Sequence, residues 1–118
     1  MNAAILVVDD EQNLVNLLEM VLTKRGYQVH AALTVEDAQK LIDQTAFDLA
    51  LIDIKIGRRD GLSLLDDIRK RRPDTKAIVI TAYPNRDTQL RSQQKGAAAY
   101  FTKPLDLPEL LKTINGLV

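Results

Sequence analysis

Five short apolar runs, each followed by a longer segment of helical spacing, constrain the fold of this chain more than any other feature. The runs are Ala4–Val8, Gln28–Ala32, Asp48–Ile52, Lys76–Ile80 and Ala97–Thr102. They are too short for helices, and the regular alternation leaves each strand joined to the next through a helical crossover. Strands linked in that way run parallel. Their apolar character along both faces predicts a sheet covered by helices on each side, a doubly wound α/β domain.

The intervening segments supply the helices. Leu14, Leu17, Leu18, Val21 and Leu22 form an i, i+3, i+4, i+7, i+8 stripe that Gly26 ends. Thr34 stands three residues before Asp37 in a capping pattern that opens a helix with Ala38, Leu41 and Ile42 inward. Gly61 opens a third helix with Leu64, Leu65 and Ile68 facing the core, and Pro73 lies beyond its basic end. The fourth, from about Arg86 to Lys95, has few apolar residues, and the fifth buries Leu107, Leu110, Leu111 and Ile114 with Pro108 in its first turn.

A chain of 118 residues suits one domain with a continuous core, here residues 1–118, and a further domain could have been cut away after the fifth helix. Sixteen basic and sixteen acidic residues leave no field to attract nucleic acid or an anionic membrane. Without cysteine there is no disulfide framework, thiolate metal site or cysteine nucleophile. The N-terminal apolar run is too short for a signal peptide or a membrane span, so a cytoplasmic location is expected.

Ligands of open α/β sheets bind outside the carboxyl ends of the strands, near the point where strand order reverses. Every strand but the second delivers a polar group to that edge: Asp9-Asp10 after the first, Asp53 after the third, Thr81 after the fourth and Lys103 after the fifth. Three neighbouring carboxylates repel one another unless a cation lies among them. An all-oxygen pocket without histidine suits Mg²⁺ (or Mn²⁺), which is commonly held by carboxylates together with phosphate oxygens. A carboxylate can attack phosphorus to give an aspartyl phosphate, a reaction that depends on positioning and charge neutralisation. Asp53 is the better nucleophile because it stands alone at the end of a central strand, whereas Asp9-Asp10 is arranged to hold metal.

Asp9-Asp10, Asp53, Asp60-Gly61, Thr81-Ala82, Tyr100 and Lys103-Pro104 together resemble the motif set of CheY-like receiver domains of bacterial two-component response regulators, across the whole chain. The resemblance implies a flavodoxin-like (βα)5 fold with strand order 2-1-3-4-5. It implies that Asp53 accepts phosphate from a sensor histidine kinase or phosphotransfer protein, and that Asp10 binds Mg²⁺ directly and Asp9 through water. The carbonyl of Lys55 would complete the ligands, with Lys103 and Thr81 contacting the phosphoryl group. Thr81 and Tyr100 would then act as a switch that alters the face of the fourth helix, fifth strand and fifth helix. That face would control an output domain or target protein, with phosphorylation-dependent dimerisation a further expectation; Thr81-Ala82-Tyr83 and Lys103-Pro104-Leu105-Asp106-Leu107 resemble receivers attached to AAA+ transcriptional activators or hybrid kinases more than winged-helix types, and transcriptional regulation is the expected setting. Such a domain is a phosphoacceptor with self-phosphorylation and self-dephosphorylation chemistry, not a turnover enzyme.

Each residue alone has a plainer reading. Asp9-Asp10-Glu11 could be an acidic helix start and Thr81 ordinary strand material. Lys103 could be a solvated charge and Tyr100 plain core. His30, away from the acidic edge, reads as structural or solvated. Arg69-Lys70-Arg71-Arg72 reads as a solvated helix end. The family pattern implies a cis Lys103–Pro104 peptide, and places side chains that tune dephosphorylation at Lys55 and Tyr83. One departure stands beside Asp53: Gly57 occupies a position where proline is usual, followed by Arg58-Arg59. Two competing readings keep the fold, a constitutive interaction module and a flavin carrier; acidic residues after the first strand would repel a flavin phosphate. A hydrolase would need larger substrate loops than these connections provide.

Overall fold

The structure, a computed structural model, describes residues 2–118. The elements run β1 (Ala4–Val8), α1 (Gln12–Lys24), β2 (Gln28–Ala32), α2 (Val35–Gln44), β3 (Leu49–Asp53), β4 (Lys55–Ile56), β5 (Arg59–Asp60), α3 (Leu62–Arg71), β6 (Lys76–Thr81), α4 (Arg86–Gln94), β7 (Ala99–Thr102) and α5 (Leu107–Leu117). Five strands pair in parallel in the order β2-β1-β3-β6-β7. Setting aside the small β4-β5 hairpin, this is the expected order 2-1-3-4-5 of a flavodoxin-like doubly wound sheet.

Strand alternation divides the interior in two. Leu6 and Val8 of β1 point to one face with Ala50 and Ile52 of β3, where Val35, Ala38 and Ile42 of α2 and Leu64, Leu65 and Ile68 of α3 pack on them. Ile5 and Val7 point to the other face with Leu49 and Leu51, beneath Val15, Leu18 and Leu22 of α1 and Leu110 and Ile114 of α5. All five residues of β3 are buried, so this strand is the axis of both cores.

Two sequence expectations need correction, and a third, for His30, agrees with the structure. In α1 the buried line is Val15, Leu18 and Leu22, whereas Leu17 is 38% exposed and Leu14 and Val21 are only partly covered. The apolar stripe is wider than the buried one, so spacing alone set its centre about one residue out. The basic run at the end of α3 is not simply solvated. Arg72 donates to the carbonyls of Ile42 and Asp43 at the end of α2, Arg71 pairs with Asp43, and Arg69 donates to the carbonyl of Thr75. These guanidinium groups close a helix end and a loop whose carbonyls have no helical partner. His30 is exposed, with its ring edge-on to Phe47 at 5.4 Å.

The hairpin between β3 and α3 has no clear sequence signal. Lys55 pairs with Asp60 and Ile56 with Arg59, leaving Gly57-Arg58 as a two-residue turn. Gly57 has φ +60° and Arg58 a negative φ, the pattern of a II′ hairpin turn with glycine first. Gly61 then meets the sheet so closely that a Cβ there would stand 1.9 Å from the carbonyl oxygen of Asp53. Its side-chain-free approach sets the start of α3 against the end of β3.

Candidate functional site

The chain reverses its winding direction beside β1, and the residues just past β1, β3, β6 and β7 meet there. They line a cleft of about 240 Å³ bounded by Asp10, Glu11, Asp53, Lys55, Gly57, Thr81, Ala82, Tyr83 and Lys103. Asp9 lies beneath it, buried. One carboxylate oxygen from each of Asp9, Asp10 and Asp53 lies within 4.8 Å of the other two, the only group of three or more potential metal ligands so clustered among the described residues.

Lys103 is the counter-charge. The Lys103–Pro104 peptide is cis, as expected. The Lys103 ammonium stands 2.9 Å from Asp9 Oδ2, 3.0 Å from Asp53 Oδ2 and 3.6 Å from Glu11 Oε1. Burial acts to lower its pKa, but close pairing with the negative charges of Asp9 and Asp53 outweighs it, so the lysine is held charged well above its usual range. Asp53 is pushed up, chiefly by burial and with help from the Asp9 charge, against the lowering effect of Lys103 and the Lys55 amide.

Each carboxylate is oriented separately. Asp53 Oδ1 accepts from the Lys55 N–H at 3.2 Å and Oδ2 from Lys103 Nζ at 3.0 Å. Asp9 Oδ1 accepts from the Glu11 N–H at 2.9 Å, so this residue also serves the start of α1. Asp10 Oδ2 accepts from the Gly57 N–H at 2.8 Å. Thr81 is buried, and its Oγ1 accepts from the Tyr83 N–H at 3.0 Å, leaving its own proton free to be donated.

The donor set fits a divalent cation. Asp9, Asp53 and Glu11 share the Lys103 ammonium, Asp10 beside them pairs with no cation among the described residues, and Asp9 Oδ2 is buried beside Lys103 yet off the direction of any hydrogen bond. A buried carboxylate oxygen left in that state favours a second cation. All candidate ligands are oxygens, which suits Mg²⁺ or Mn²⁺ rather than a softer metal.

Tyr100 lies outside this cluster. Half-buried against the α2-α3 core, its hydroxyl stands 3.0 Å from Thr88 Oγ1 on α4. Because Thr88 Oγ1 also lies 3.2 Å from the Asn85 carbonyl, the simplest proton arrangement has Tyr100 donating to Thr88 and Thr88 to Asn85. Lys55 and Tyr83 meet across the cleft mouth, the ammonium 5.8 Å from the ring centroid. Sequence reading placed Asp9, Asp10, Asp53, Thr81 and Lys103 at one edge, and the structure brings all five there. It did not identify Glu11, Thr88 or the Gly57 amide as contributors. Backbone donors and residues placed by a helix turn carry no type signal.

The model of the response regulator receiver domain matches residues 5–115. The chain belongs to the response regulator receiver domain family. Among similar proteins is the transcriptional regulatory protein ZraR of Escherichia coli (strain K12), 33% identical over 114 residues covering 97% of this chain and 26% of ZraR. The chain therefore spans about a quarter of that relative. Among solved structures, the CheY-like receiver domain protein of Methanospirillum hungatei JF-1 superposes with a TM-score of 0.94 at 34% identity, covering 98% of this chain and 93% of that one. The response regulator TrrA of Thermotoga maritima, solved in complex with Mg²⁺-BeF, gives a TM-score of 0.87 at 35% identity over the whole of both chains. This receiver domain is a two-component signalling domain, and none of its described helices is long and apolar enough to cross a membrane.

Proposed function

We propose that this receiver domain is a phosphorylation switch whose acceptor is Asp53. The observation that carries the reading is the state of that carboxylate: buried, fixed through both oxygens, 3.0 Å from Lys103 Nζ and clustered with Asp9 and Asp10. An oxygen of Asp53 attacks the phosphorus of a phosphohistidine on a sensor kinase or phosphotransfer protein. The new O–P bond forms as the P–N bond breaks, and the histidine nitrogen leaves with the electron pair. Asp10, Asp53 and the Lys55 carbonyl, with Asp9 through water, would hold Mg²⁺ or Mn²⁺. When bound, such an ion neutralises charge on the transferring phosphoryl oxygens. Lys103 supplies a further cation, and the Thr81 hydroxyl supplies a hydrogen-bond donor. The Mg²⁺-BeF complex of TrrA supports this assignment by likeness.

The output follows from what phosphate adds, roughly −1.5 to −2 charge and three strong acceptor oxygens. Drawing Thr81 toward it breaks the bond from the Tyr83 amide and opens space for Tyr100 to leave Thr88 and turn inward. The face of α4, β7 and α5 then changes, and an output domain, a target protein or a second phosphorylated copy reads it. Likeness to the transcriptional regulatory protein ZraR favours transcriptional regulation as the output. On this reading residues 1–118 make up one receiver domain, with no direct nucleic-acid binding and no turnover beyond its own phosphorylation and dephosphorylation.

The test is mass spectrometry after incubation with a small phosphodonor and Mg²⁺. One phosphoryl group should add to the wild-type chain and none to Asp53→Asn. Equal modification of the variant would overturn the assignment.

A further inference from the structure

The departure at Gly57 gives the metal-binding carboxylates a donor that a proline could not supply. Asp10 is exposed and carries like-charged neighbours in Asp9 and Asp53, and among the described residues it takes part in no ion pair. Repulsion should turn such a side chain outward into water. What holds it inward is one contact, the Gly57 N–H donating to Asp10 Oδ2 at 2.8 Å across 47 residues of sequence.

The position of that N–H is built into the hairpin. Gly57 has φ +60°, a region that residues with side chains rarely adopt, so the turn that carries this N–H opposite the end of β1 favours a glycine there. The hairpin is in turn fixed at its outer strand. Arg59 pairs with Glu36 of α2, Asp60 Oδ1 accepts from the Leu62 N–H at 2.8 Å, and Asp60 Oδ2 lies 3.3 Å from Arg91 of α4. Gly61 closes the far side against the Asp53 carbonyl.

We propose that the backbone N–H of Gly57 is a positioning donor for Asp10, holding one of its oxygens so that the carboxylate stays in the cleft and sets the affinity of this chain for divalent cations. Hydrogen-bond partners of metal ligands fix ligand orientation, and losing one typically lowers metal affinity by about ten- to a hundredfold. The bond here is partly solvated, which places the effect at the lower end. The inference rests on the proposed use of Asp10 as a ligand of Mg²⁺.

The test separates the N–H from the backbone shape. Assembling the 118-residue chain by ligation with an ester in place of the Ile56–Gly57 amide removes the donor and adds no side chain. Gly57→Ala keeps the donor but places a Cβ at a positive φ. Calorimetric titration with Mg²⁺ should show the ester chain binding about tenfold more weakly than wild type, with a melting temperature close to it. The alanine variant should show the opposite split, a lowered melting temperature with Mg²⁺ affinity within about threefold of wild type. An ester chain that binds Mg²⁺ as tightly as wild type overturns this inference alone, as does an alanine variant as weak as the ester. A wild-type chain that binds no Mg²⁺ overturns the metal assignment beneath it.

Discussion

The end of β3 and helix α4 lie on neighbouring parts of the same sheet edge and are held in place by different means. All five residues of β3 are buried, and Asp53 at its end is fixed through both carboxylate oxygens. In α4 only Ser92 is buried, and Leu90 is 52% exposed. That helix is attached at points: the Asn85 cap, the Thr88–Tyr100 hydroxyl pair, and the ion pairs of Arg91 with Asp60 and Lys95 with Asp66. Exposed pairs of this kind each contribute about 0–1 kcal/mol. The chemical part of the domain is therefore rigid, and the part proposed to report its state is cheap to move.

The largest effect should come from removing the ammonium at the rigid end. Lys103→Met leaves Asp9 and Asp53 buried side by side without their counter-charge, and breaking a buried pair from one side costs about 3–5 kcal/mol. Chemical denaturation at neutral pH in metal-free buffer should show a loss near the lower figure, since the lysine retains some contact with water. A loss below about 1 kcal/mol would mean that the cluster is not held by this charge. Saturating Mg²⁺ should recover part of the loss.

Next in size is Gly61→Ala. The added Cβ would stand 1.9 Å from the Asp53 carbonyl oxygen, a backbone atom that cannot swing aside. Overpacking of this kind costs about 1–3 kcal/mol, and here it also shifts the strand end that carries Asp53. Both stability and the rate of phosphorylation by a small donor should fall. A variant as stable as wild type would show that α3 can retreat from the sheet, and would weaken the contrast between a fixed site and a movable α4.

A pH series sharpens the same contrast. Burial first, then the Asp9 charge, raise the Asp53 carboxyl above its ordinary 3.8 despite Lys103. A group with a raised folded value keeps its proton in the folded chain after the unfolded chain has released it. Its ionisation therefore opposes folding, and stability falls as pH rises from about 3.8 through the folded value. In metal-free buffer Asp53→Asn should be more stable than wild type at neutral pH, the gain shrinking as pH falls toward that ordinary range. A variant less stable than wild type at neutral pH would show that the bond with Lys103 outweighs burial.

The same difference explains what could be read from sequence. The strands and the five polar residues at their ends were legible because buried parallel strands require continuous apolar runs, and each site residue follows one directly, whereas the strand order came only from the family resemblance. Leu17 was misplaced because an amphipathic helix can carry a wider apolar stripe than its neighbours cover. The β4-β5 hairpin was not legible, since Lys55-Ile56 and Arg59-Asp60 have no alternating pattern and Gly57-Arg58 no strong turn signature. The role of Gly61 was only half visible: glycine before a helix suggests a start, whereas its close approach to Asp53 is a property of the packed structure. Arg69 and Arg72 read as solvated charge because their partners are carbonyls, which no residue type announces.

The smallest expected effect tests the loosely held side directly. Leu90 is the one large apolar residue of α4 and is more than half exposed, so Leu90→Ala removes little buried surface and should change stability by less than about 0.5 kcal/mol. Leu51→Ala, in the middle of β3, should cost about 2–5 kcal/mol by opening a cavity in the α1-α5 core. Hydrogen exchange on the unmodified wild-type chain should follow the same order, with the amides of Leu90 and Arg91 opening at a lower free energy than those of Leu51 and Ile52. Equal protection in the two elements would show α4 to be as firmly bound as the strand it reports on. In that case the Thr88–Tyr100 bond, rather than sparse packing, would have to set how readily the face changes.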